Sequence, residues 1–162
     1  MQLSTRSRYA VMAMVDLASR QTIGCECGPI CLAEIAARQQ LSQPYLEQLF
    51  GKLRRAGLVA SARGPGGGYR LARNSDAIAI GDIVAAVDEP IRATRCEGGT
   101  GGCQTNTTEG SERCQTHDLW FELGRQIECF LAGITLADVI SGQVRGRASR
   151  PAPSPARRLA AE

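Results

Sequence analysis

The chain has 162 residues, a hydrophobic content of 43% and a formal net charge of +3, values that suit one globular domain with accessory segments. No apolar run reaches the roughly 18 residues that a membrane-spanning helix needs, and the N-terminus lacks a convincing signal peptide, so we expect a cytoplasmic protein. Seven cysteines in such a protein favour metal or redox chemistry over structural disulfides.

The charge is distributed unevenly along the chain. Residues 1–73 carry ten Lys/Arg and four Asp/Glu, a net charge of +6, whereas residues 74–144 carry a net −7 and residues 145–162 a net +4. A basic first third favours a polyanion as the partner of that part of the chain. A solvated charged face would give the same count, so charge alone leaves both interpretations open.

The first part of the chain predicts three helices. The alanine-rich run YAVMAMVDLA contains no Gly or Pro and predicts a first helix over roughly residues 5–20. LAEIAARQQ predicts a short second helix. A third helix is predicted over about residues 43–56, with Ser42 as its N-cap and Gly57 at its end. Its apolar residues recur at helical spacing: Leu46, Leu49, Phe50 and Leu53.

The opposite face of the third helix is polar and partly cationic. It is predicted to carry Tyr45, Gln48, Lys52 and Arg55. Two short helices joined by a tight turn, the second with such a face, are typical of a helix-turn-helix that contacts DNA. Many short surface helices share the pattern, so this face does not decide the function by itself.

A β-hairpin predicted directly after the third helix strengthens the DNA interpretation. LVASA and YRLA predict two strands joined by the turn RGPGGG, which would make a winged helix-turn-helix. Arg63 lies at the hairpin tip, where an arginine suits the narrow, negative minor groove of A·T-rich DNA. A phosphate-binding loop is disfavoured, because RGPGGGY lacks a Gly-Lys-Ser/Thr ending and joins two strands.

The second half of the chain predicts further helices and a tail. IAIGDIVAAVDE, residues 78–89, predicts a short strand that turns into a helix stopped by Pro90. HDLWFELGRQIECFLAGITL predicts a helix whose apolar stripe packs on its own domain or, as we prefer, on a partner helix in a twofold dimer. TLADVISGQV predicts a last short helix, and residues 145–162 predict a disordered basic tail.

Three cysteines and the only histidine lie in the glycine-rich stretch RCEGGTGGCQTNTTEGSERCQTH. The candidate metal ligands are Cys96, Cys103, Cys114 and His117. The gaps between them are six, ten and two residues, so only Cys114 and His117 form a close pair, where a zinc finger would have two. The two wide gaps favour a 2Fe–2S cluster. One imidazole in place of a thiolate should raise the reduction potential and make the cluster easier to lose, which suits a sensor. Zinc, a disulfide or plain thiols stay open from the spacing alone.

Several stretches together resemble one family: RYAVMAMVDLA, YLEQLFGKLRRAGLV, RGPGGGY, IGDIVAAVDE, ATRC, GGCQ and CQTHDLW. Over roughly residues 1–140 the chain resembles the IscR-like iron–sulfur cluster regulators of the bacterial Rrf-type winged helix-turn-helix transcription factors. The RGPGGGY wing marks the wider family. The three cysteines, the last of which begins CQTH, mark the iron–sulfur subgroup.

The resemblance implies a homodimeric regulator, not an enzyme, that binds promoter DNA and controls iron–sulfur assembly genes. It implies a 2Fe–2S cluster, donated by the assembly machinery and held by the three cysteines and His117. It assigns DNA contacts to Ser42, Tyr45, Glu47, Gln48 and Arg63, and Lys52 and Arg55 join them by their position on the helix. Glu47 would discriminate between operators, since a carboxylate repels phosphate but can accept from a cytosine amino group.

The chain departs from the family pattern in two places. TNTTEGSE lengthens the second cysteine gap. Cys25, Cys27 and Cys31 form an extra group, which predicts small apolar side chains at a helix start or else a second metal or redox site. The alternatives to the main hypothesis are a nitric-oxide- or redox-sensing regulator with the same cluster and a zinc-stiffened DNA-binding protein without sensing.

The predicted fold is mainly α with a small β wing. We expect a winged helix-turn-helix domain over residues 1–90, a cluster-binding loop over 91–117, a dimerisation helix and a short helix over 118–144, and the tail over 145–162. An ordered loop is expected to fix the packing between the dimerisation helix and the DNA-binding domain.

Overall fold

A computed structural model of the chain describes residues 4–22, 28–64, 66–87 and 116–144. It is mainly helical with one two-stranded sheet, which confirms the predicted fold class. In chain order the elements are α1 (Thr5–Thr22), α2 (Leu32–Gln39), α3 (Gln43–Arg55), β1 (Val59–Ala62), β2 (Gly68–Leu71), α4 (Ile80–Ala86), α5 (His117–Ala132) and α6 (Leu136–Ile140). Within these ranges no helix combines the length and apolarity needed to cross a bilayer.

Helix α1 lies at the centre of the core. Its buried residues follow the helical repeat: Ala10, Ala13, Met14, Leu17 and Ala18. Helices α2, α3, α4 and α6 and strand β2 all contact it. Because several of its core side chains are alanines, the neighbouring helices can approach α1 closely, and aliphatic side chains fill most of the remaining space.

The end of α3 is a hydrogen-bonded glycine stop. Gly57 has φ +70°, in the left-handed region that favours glycine. Its N–H donates to the Arg54 carbonyl over 3.0 Å, and the N–H of Leu58 donates to the Leu53 carbonyl over 3.0 Å. This pair of bonds is a Schellman motif, and Leu53 and Leu58 are both buried beside it. The predicted stop at Gly57 is confirmed.

The predicted wing is present and is anchored to the helix-turn-helix. Strands β1 and β2 pair antiparallel, with Val59 opposite Leu71 and Ala62 opposite Gly68. Ile30, two residues before α2, extends the sheet by exchanging two hydrogen bonds with Tyr69, of 2.9 and 2.8 Å. A Cβ at Gly68 would collide with the Ile30 carbonyl, so this close pairing needs glycine.

The strand predicted just before α4 is reduced to one antiparallel bridge, between Ala79 and Thr135. A 3-10 turn, Ser75–Ala77, precedes it, and α4 begins at Ile80. The bridge has so few residues because α6 starts immediately afterwards, at Leu136. Thr135 caps α6 by accepting from the Asp138 N–H while the Asp138 carboxylate accepts from the Thr135 N–H.

Candidate nucleic-acid interface and metal ligands

Helix α3 separates a buried apolar face from an exposed polar one. The four predicted apolar residues, Leu46, Leu49, Phe50 and Leu53, are buried. Gln48 and Arg55 are exposed, as predicted. The last turn carries Lys52, Arg54 and Arg55, cations that complement the negative end of the helix dipole. The exposed face of α3 therefore offers amide and guanidinium donors to a polyanion.

Two further residues predicted to contact DNA lie at the start of α3 and take part in local hydrogen bonds. The Ser42 hydroxyl accepts from the Tyr45 N–H over 3.3 Å, which confirms Ser42 as the N-cap. The carboxylate of Glu47 accepts from the Gln43 amide over 3.1 Å. Both Ser42 and Glu47 are exposed. Glu47 is thus held on the surface of the helix, where it can meet a base edge or repel a phosphate.

Tyr45 and Lys52 are half-buried, which differs from the fully exposed face that the sequence predicts. The ring of Tyr45 packs edge to face against Tyr9 of α1. The Lys52 ammonium donates to the Val87 carbonyl at the end of α4 over 3.4 Å. The two residues are seven apart, so they share one border of α3, and the neighbouring helices cover that border.

The wing presents Arg63 to solvent. Arg63 is exposed and directly follows β1. Gly64 and Gly66 have φ +102° and +79°, so the turn uses backbone conformations that other residues rarely adopt. A Cβ at Gly67 would lie 2.6 Å from the Ala62 carbonyl oxygen, so the turn is too tight for a side chain there. The result is a thin tip with one guanidinium, the shape that a narrow groove accepts.

An ion pair that the sequence analysis missed holds α2 against α1. The Asp16 carboxylate accepts from Arg38 over 2.7 Å and from the Gln39 amide over 2.8 Å. Burial raises the pKa of Asp16, but the hydrogen bonds from Arg38 and Gln39 outweigh it and keep that pKa below its ordinary value. No local pattern links residues this far apart in the chain. The pair sets how the first helix of the helix-turn-helix sits on the core.

Of the four predicted metal ligands, the structure describes only His117. It is the first residue of α5 and is half-buried, with its ring stacked on Phe121 at a centroid distance of 6.3 Å. Cys96, Cys103 and Cys114 lie outside the described residues, as do Cys25, Cys27 and the tail over 145–162. In the described ranges, no group of three or more His, Cys, Asp or Glu side chains could hold a metal.

The chemistry of the predicted donor set fits an iron–sulfur group. Thiolates are the usual ligands of such clusters, and imidazole replaces thiolate in some of them. The same four donors would also suit zinc. Cys31 and Cys129 are exposed free thiols, and Cys129 lies beside Arg125, with its sulfur 3.9 Å from a guanidinium nitrogen.

Helix α5 exposes large apolar side chains along its first turns. Leu119 and Phe121 are 62% and 64% exposed, and Trp120 and Leu123 are exposed as well. We call these four residues the α5 apolar surface. Large apolar side chains that are exposed side by side are typical of contact sites.

Another side of α5 is charged. Glu122 accepts from Arg125 and from the Gln126 amide over 2.7 and 2.6 Å. These hydrogen bonds, with that from Arg125 first, lower the pKa of Glu122 to about 2. The exposed Cys129 lies on this side, next to Arg125. Helix α5 is therefore amphipathic, with Glu122 and Arg125 on one side and the α5 apolar surface on another.

Comparisons with known proteins agree with this arrangement. The profile of the Rrf2 family, described as an iron-dependent transcriptional regulator, matches residues 3–142. The HTH-type transcriptional regulator IscR of Klebsiella pneumoniae (strain 342) is 48% identical over 143 residues, which cover 88% of this chain and 82% of the relative. The protein of the same name in Escherichia coli (strain K12 / DH10B) gives the same identity and coverage.

Solved structures show the same fold. CymR (YrzC), titled the global cysteine regulator of B. subtilis, matches with a TM-score of 0.70 and 34% identity over 88% of this chain and 98% of its own. The T. potens IscR structure matches with a TM-score of 0.65 and 38% identity over 88% of each chain.

These relatives are transcription regulators rather than enzymes, so the predictions of a DNA-binding regulator and of no enzymatic activity are confirmed. The resemblance noted in the sequence is confirmed too, by the family match over residues 3–142 and by the 48% identity over 143 residues. With the exposed side of α3, the exposed wing tip and a family match over residues 3–142, the chain belongs to the Rrf2 family of iron-dependent transcriptional regulators.

Proposed function

We propose that the chain senses iron–sulfur cluster status and, as a homodimer on promoter DNA, controls iron–sulfur cluster assembly genes. The observation that carries this proposal is the position of His117, the only imidazole, at the first residue of the helix that packs on α4. A ligand in this place joins a metal centre to the DNA-binding domain through one helix. The cytoplasm is the compartment in which such a regulator meets its promoters.

Successive segments of the chain have different proposed roles. Residues 1–90 bind DNA, residues 91–117 bind the cluster, residues 118–144 carry the dimer contacts, and residues 145–162 add positive charge. The structured helix α5 begins at His117, so the proposed ligand set ends inside the helix rather than before it. This overlap is what lets cluster binding act on α5.

The proposed DNA surface consists of the exposed side of α3 and the wing. Its residues are Ser42, Tyr45, Glu47, Gln48, Lys52, Arg55 and Arg63. Arginine and glutamine are donors for guanine and adenine edges, and Arg63 is placed for a minor groove. Lys52 and Arg55 near the end of α3 would contact phosphates, which fix the orientation of the helix but carry no sequence information.

The proposed cofactor is a 2Fe–2S cluster held by Cys96, Cys103, Cys114 and His117 and received from the assembly machinery. When bound, such a cluster supplies a one-electron redox centre and ties its four ligands to one object. His117 would hold its share of the cluster from the start of α5, where the Phe121 ring packs against the imidazole and limits its orientation.

The α5 apolar surface supports the proposed homodimer. A second copy of the chain supplies the same surface, so two α5 helices can cover each other around a twofold axis. A twofold dimer also places two recognition helices for the two halves of an operator.

The proposal is tested on anaerobically reconstituted protein. We expect a visible iron–sulfur spectrum, iron and sulfide in equal amounts, and different operator affinities for cluster-loaded and cluster-free protein at one salt concentration. Cys103→Ser should lose the cluster, whereas the control Cys129→Ser, at an exposed cysteine beside Arg125, should keep it. Stoichiometric zinc without sulfide would favour the zinc-stiffened alternative, and equal affinities of the two forms would contradict sensing.

A further inference from the structure

Helix α4 is tied at its N-terminal end to the segment between α5 and α6. The Ile80 N–H donates to the Ile134 carbonyl over 2.8 Å, and the Leu136 N–H donates to the Ile78 carbonyl over 3.0 Å. All four of these residues are buried, so water does not compete for the two bonds. These bonds therefore fix the position of the start of α4 relative to the end of α5.

A glycine brings α4 and α5 into backbone contact. A Cβ at Gly81 would lie 3.1 Å from the nitrogen and 3.2 Å from the Cα of Ala132, which is closer than nearly all real Cβ contacts. Surfaces packed this closely cannot slide past one another by small steps, because any shift produces a collision or a void. A displacement of α5 should therefore displace α4.

The other end of α4 contacts the recognition helix. The Lys52 ammonium donates over 3.4 Å to the carbonyl of Val87, the residue that ends α4. Carbonyls at the end of a helix carry a partial negative charge and attract a cation. Val87 is fully buried and Lys52 is half-buried, so the contact is partly shielded from water.

The other two cations of α3 have different partners. Arg54 donates to the Ser61 hydroxyl of the wing over 3.4 Å, and Arg55 donates to the Gly51 carbonyl of its own helix over 3.3 Å. Lys52 instead joins α3 to α4, the helix that α5 holds at its other end. An ammonium has three donors, so Lys52 can keep this contact while it donates to a DNA phosphate.

We propose that Lys52 is a positioning residue that transmits the state of α5 to the recognition helix through the Val87 carbonyl at the end of α4. The inference rests on the proposed function, in which cluster binding at His117 sets the state of α5. A shift of α5 moves α4 through the Gly81 contact, and Lys52 makes α3 follow. Lys52 thus contributes to the dependence of DNA affinity on the cluster, not only to the affinity itself.

The test measures the dissociation constants of cluster-loaded and cluster-free full-length protein for one operator at one salt concentration, by fluorescence anisotropy. The ratio of the two constants reports the coupling between cluster and DNA. Lys52→Met keeps the aliphatic stem and removes the ammonium, and it should bring this ratio closer to one by about threefold or more. Lys52→Arg restores a cationic donor and should keep the ratio within about twofold of wild type.

Arg55→Met is the matched control, since it removes an exposed cation from the same helix whose partner lies in its own helix. Arg55→Met should weaken DNA binding by the cluster-loaded and the cluster-free protein equally, so the ratio of the two dissociation constants should not change. An unchanged ratio in Lys52→Met, or an equal change of the ratio in Arg55→Met, overturns the inference. Equal wild-type affinities in the two forms overturn the proposed function and with it the inference, so the two failures are distinguishable.

Folding is checked on the cluster-free variants, which gives a measurement that does not depend on cluster loading. Lys52→Met should retain the helical circular dichroism and the cooperative melting of wild type. Should the methionine variant unfold, Lys52→Ala replaces it in the same comparison, because alanine carries neither a charge nor a hydrogen-bond donor for the Val87 carbonyl. A wild-type ratio in the alanine variant then overturns the inference as well.

Discussion

The rings of Tyr9 and Tyr45 meet edge to face, with centroids 6.1 Å apart and planes at 87°. Tyr9 lies near the start of the central helix α1, and Tyr45 lies in the first turn of the recognition helix. The pair orients a predicted DNA contact from a residue outside the helix-turn-helix. The start of α3 is therefore fixed from two sides, by its own cap at Ser42 and by α1.

A double-mutant cycle tests this contact. Tyr9→Ala, Tyr45→Ala and the double variant should give an interaction energy of about 0.5–1.5 kcal/mol in urea unfolding, the usual range for edge-to-face pairs. Tyr9→Ala combined with Arg63→Ala is the control and should be additive, since Arg63 is exposed on the wing. Additivity of the Tyr9 and Tyr45 substitutions would show that the pair contributes nothing.

The cap at Ser42 predicts a stability effect that can be separated from DNA binding. Ser42→Ala removes the acceptor for the Tyr45 N–H and should lower the free energy of unfolding by about 1 kcal/mol. Ser42→Asn keeps a capping oxygen and should stay close to wild type in stability. If operator affinity falls in both variants, the Ser42 hydroxyl contacts DNA as well as capping the helix. A wild-type stability of Ser42→Ala would contradict the capping role.

The recognition helix and wing were predictable from the sequence because their determinants are local. Ser42, Gly57 and four apolar residues at helical spacing define α3 within one short segment. The RGPGGG turn defines the wing for the same reason: glycine there is required by positive φ and by close backbone approach. In such segments the conformational propensities, the capping residues and the apolar pattern all favour the same structure. Tertiary packing therefore does not change the structure that the local sequence predicts.

Contacts between distant segments were not predictable. Helical periodicity places Tyr45 and Lys52 on the polar face of α3, but it cannot show that α1 and α4 cover the border of that face. The strand expected before α4 fails for a related reason, because its partner Thr135 follows α5 and offers a single residue for pairing. The iron–sulfur ligand set stays a prediction, since only His117 of its four members is described.

The contact of Asp16 with Arg38 predicts a stability loss in acid. The folded-state pKa of Asp16 lies below its ordinary value, so the pair stabilises the fold above about pH 4 and loses this contribution as the pH falls through the folded-state pKa. At neutral pH, Asp16→Asn should lower the free energy of unfolding by about 1–3 kcal/mol. Below about pH 4 the difference between wild type and variant should shrink.

Urea unfolding at a series of pH values checks this prediction. Glu34→Gln is the control, because Glu34 also faces Arg38 but is 63% exposed and 3.5 Å away. An exposed pair of this kind contributes little, so the control should stay within about 0.5 kcal/mol of wild type at neutral pH. A difference between wild type and Asp16→Asn that grows toward acid would contradict the predicted sign.

The α5 apolar surface predicts a dimer that one charge can break. Leu123→Glu places a carboxylate in the proposed interface and should shift the protein from dimer to monomer in sedimentation experiments at micromolar concentration. Cys129→Glu adds the same charge beside Arg125 on the charged side of α5 and should leave the dimer intact. A wild-type monomer, or a dimer that tolerates Leu123→Glu, would contradict the α5 apolar surface as the dimer interface.

Replacing His117 by cysteine tests the imidazole as a ligand through the reduction potential. A thiolate donates more negative charge to the cluster than a neutral imidazole does, so the oxidised cluster is stabilised. His117→Cys should therefore keep the cluster and lower its potential by on the order of 100 mV, measured by redox titration of the visible spectrum. His117→Ala, without any donor, should lose cluster on gel filtration. Cys129→Ser should match wild type in both measurements, and an unchanged potential in His117→Cys would mean that the imidazole does not bind the cluster.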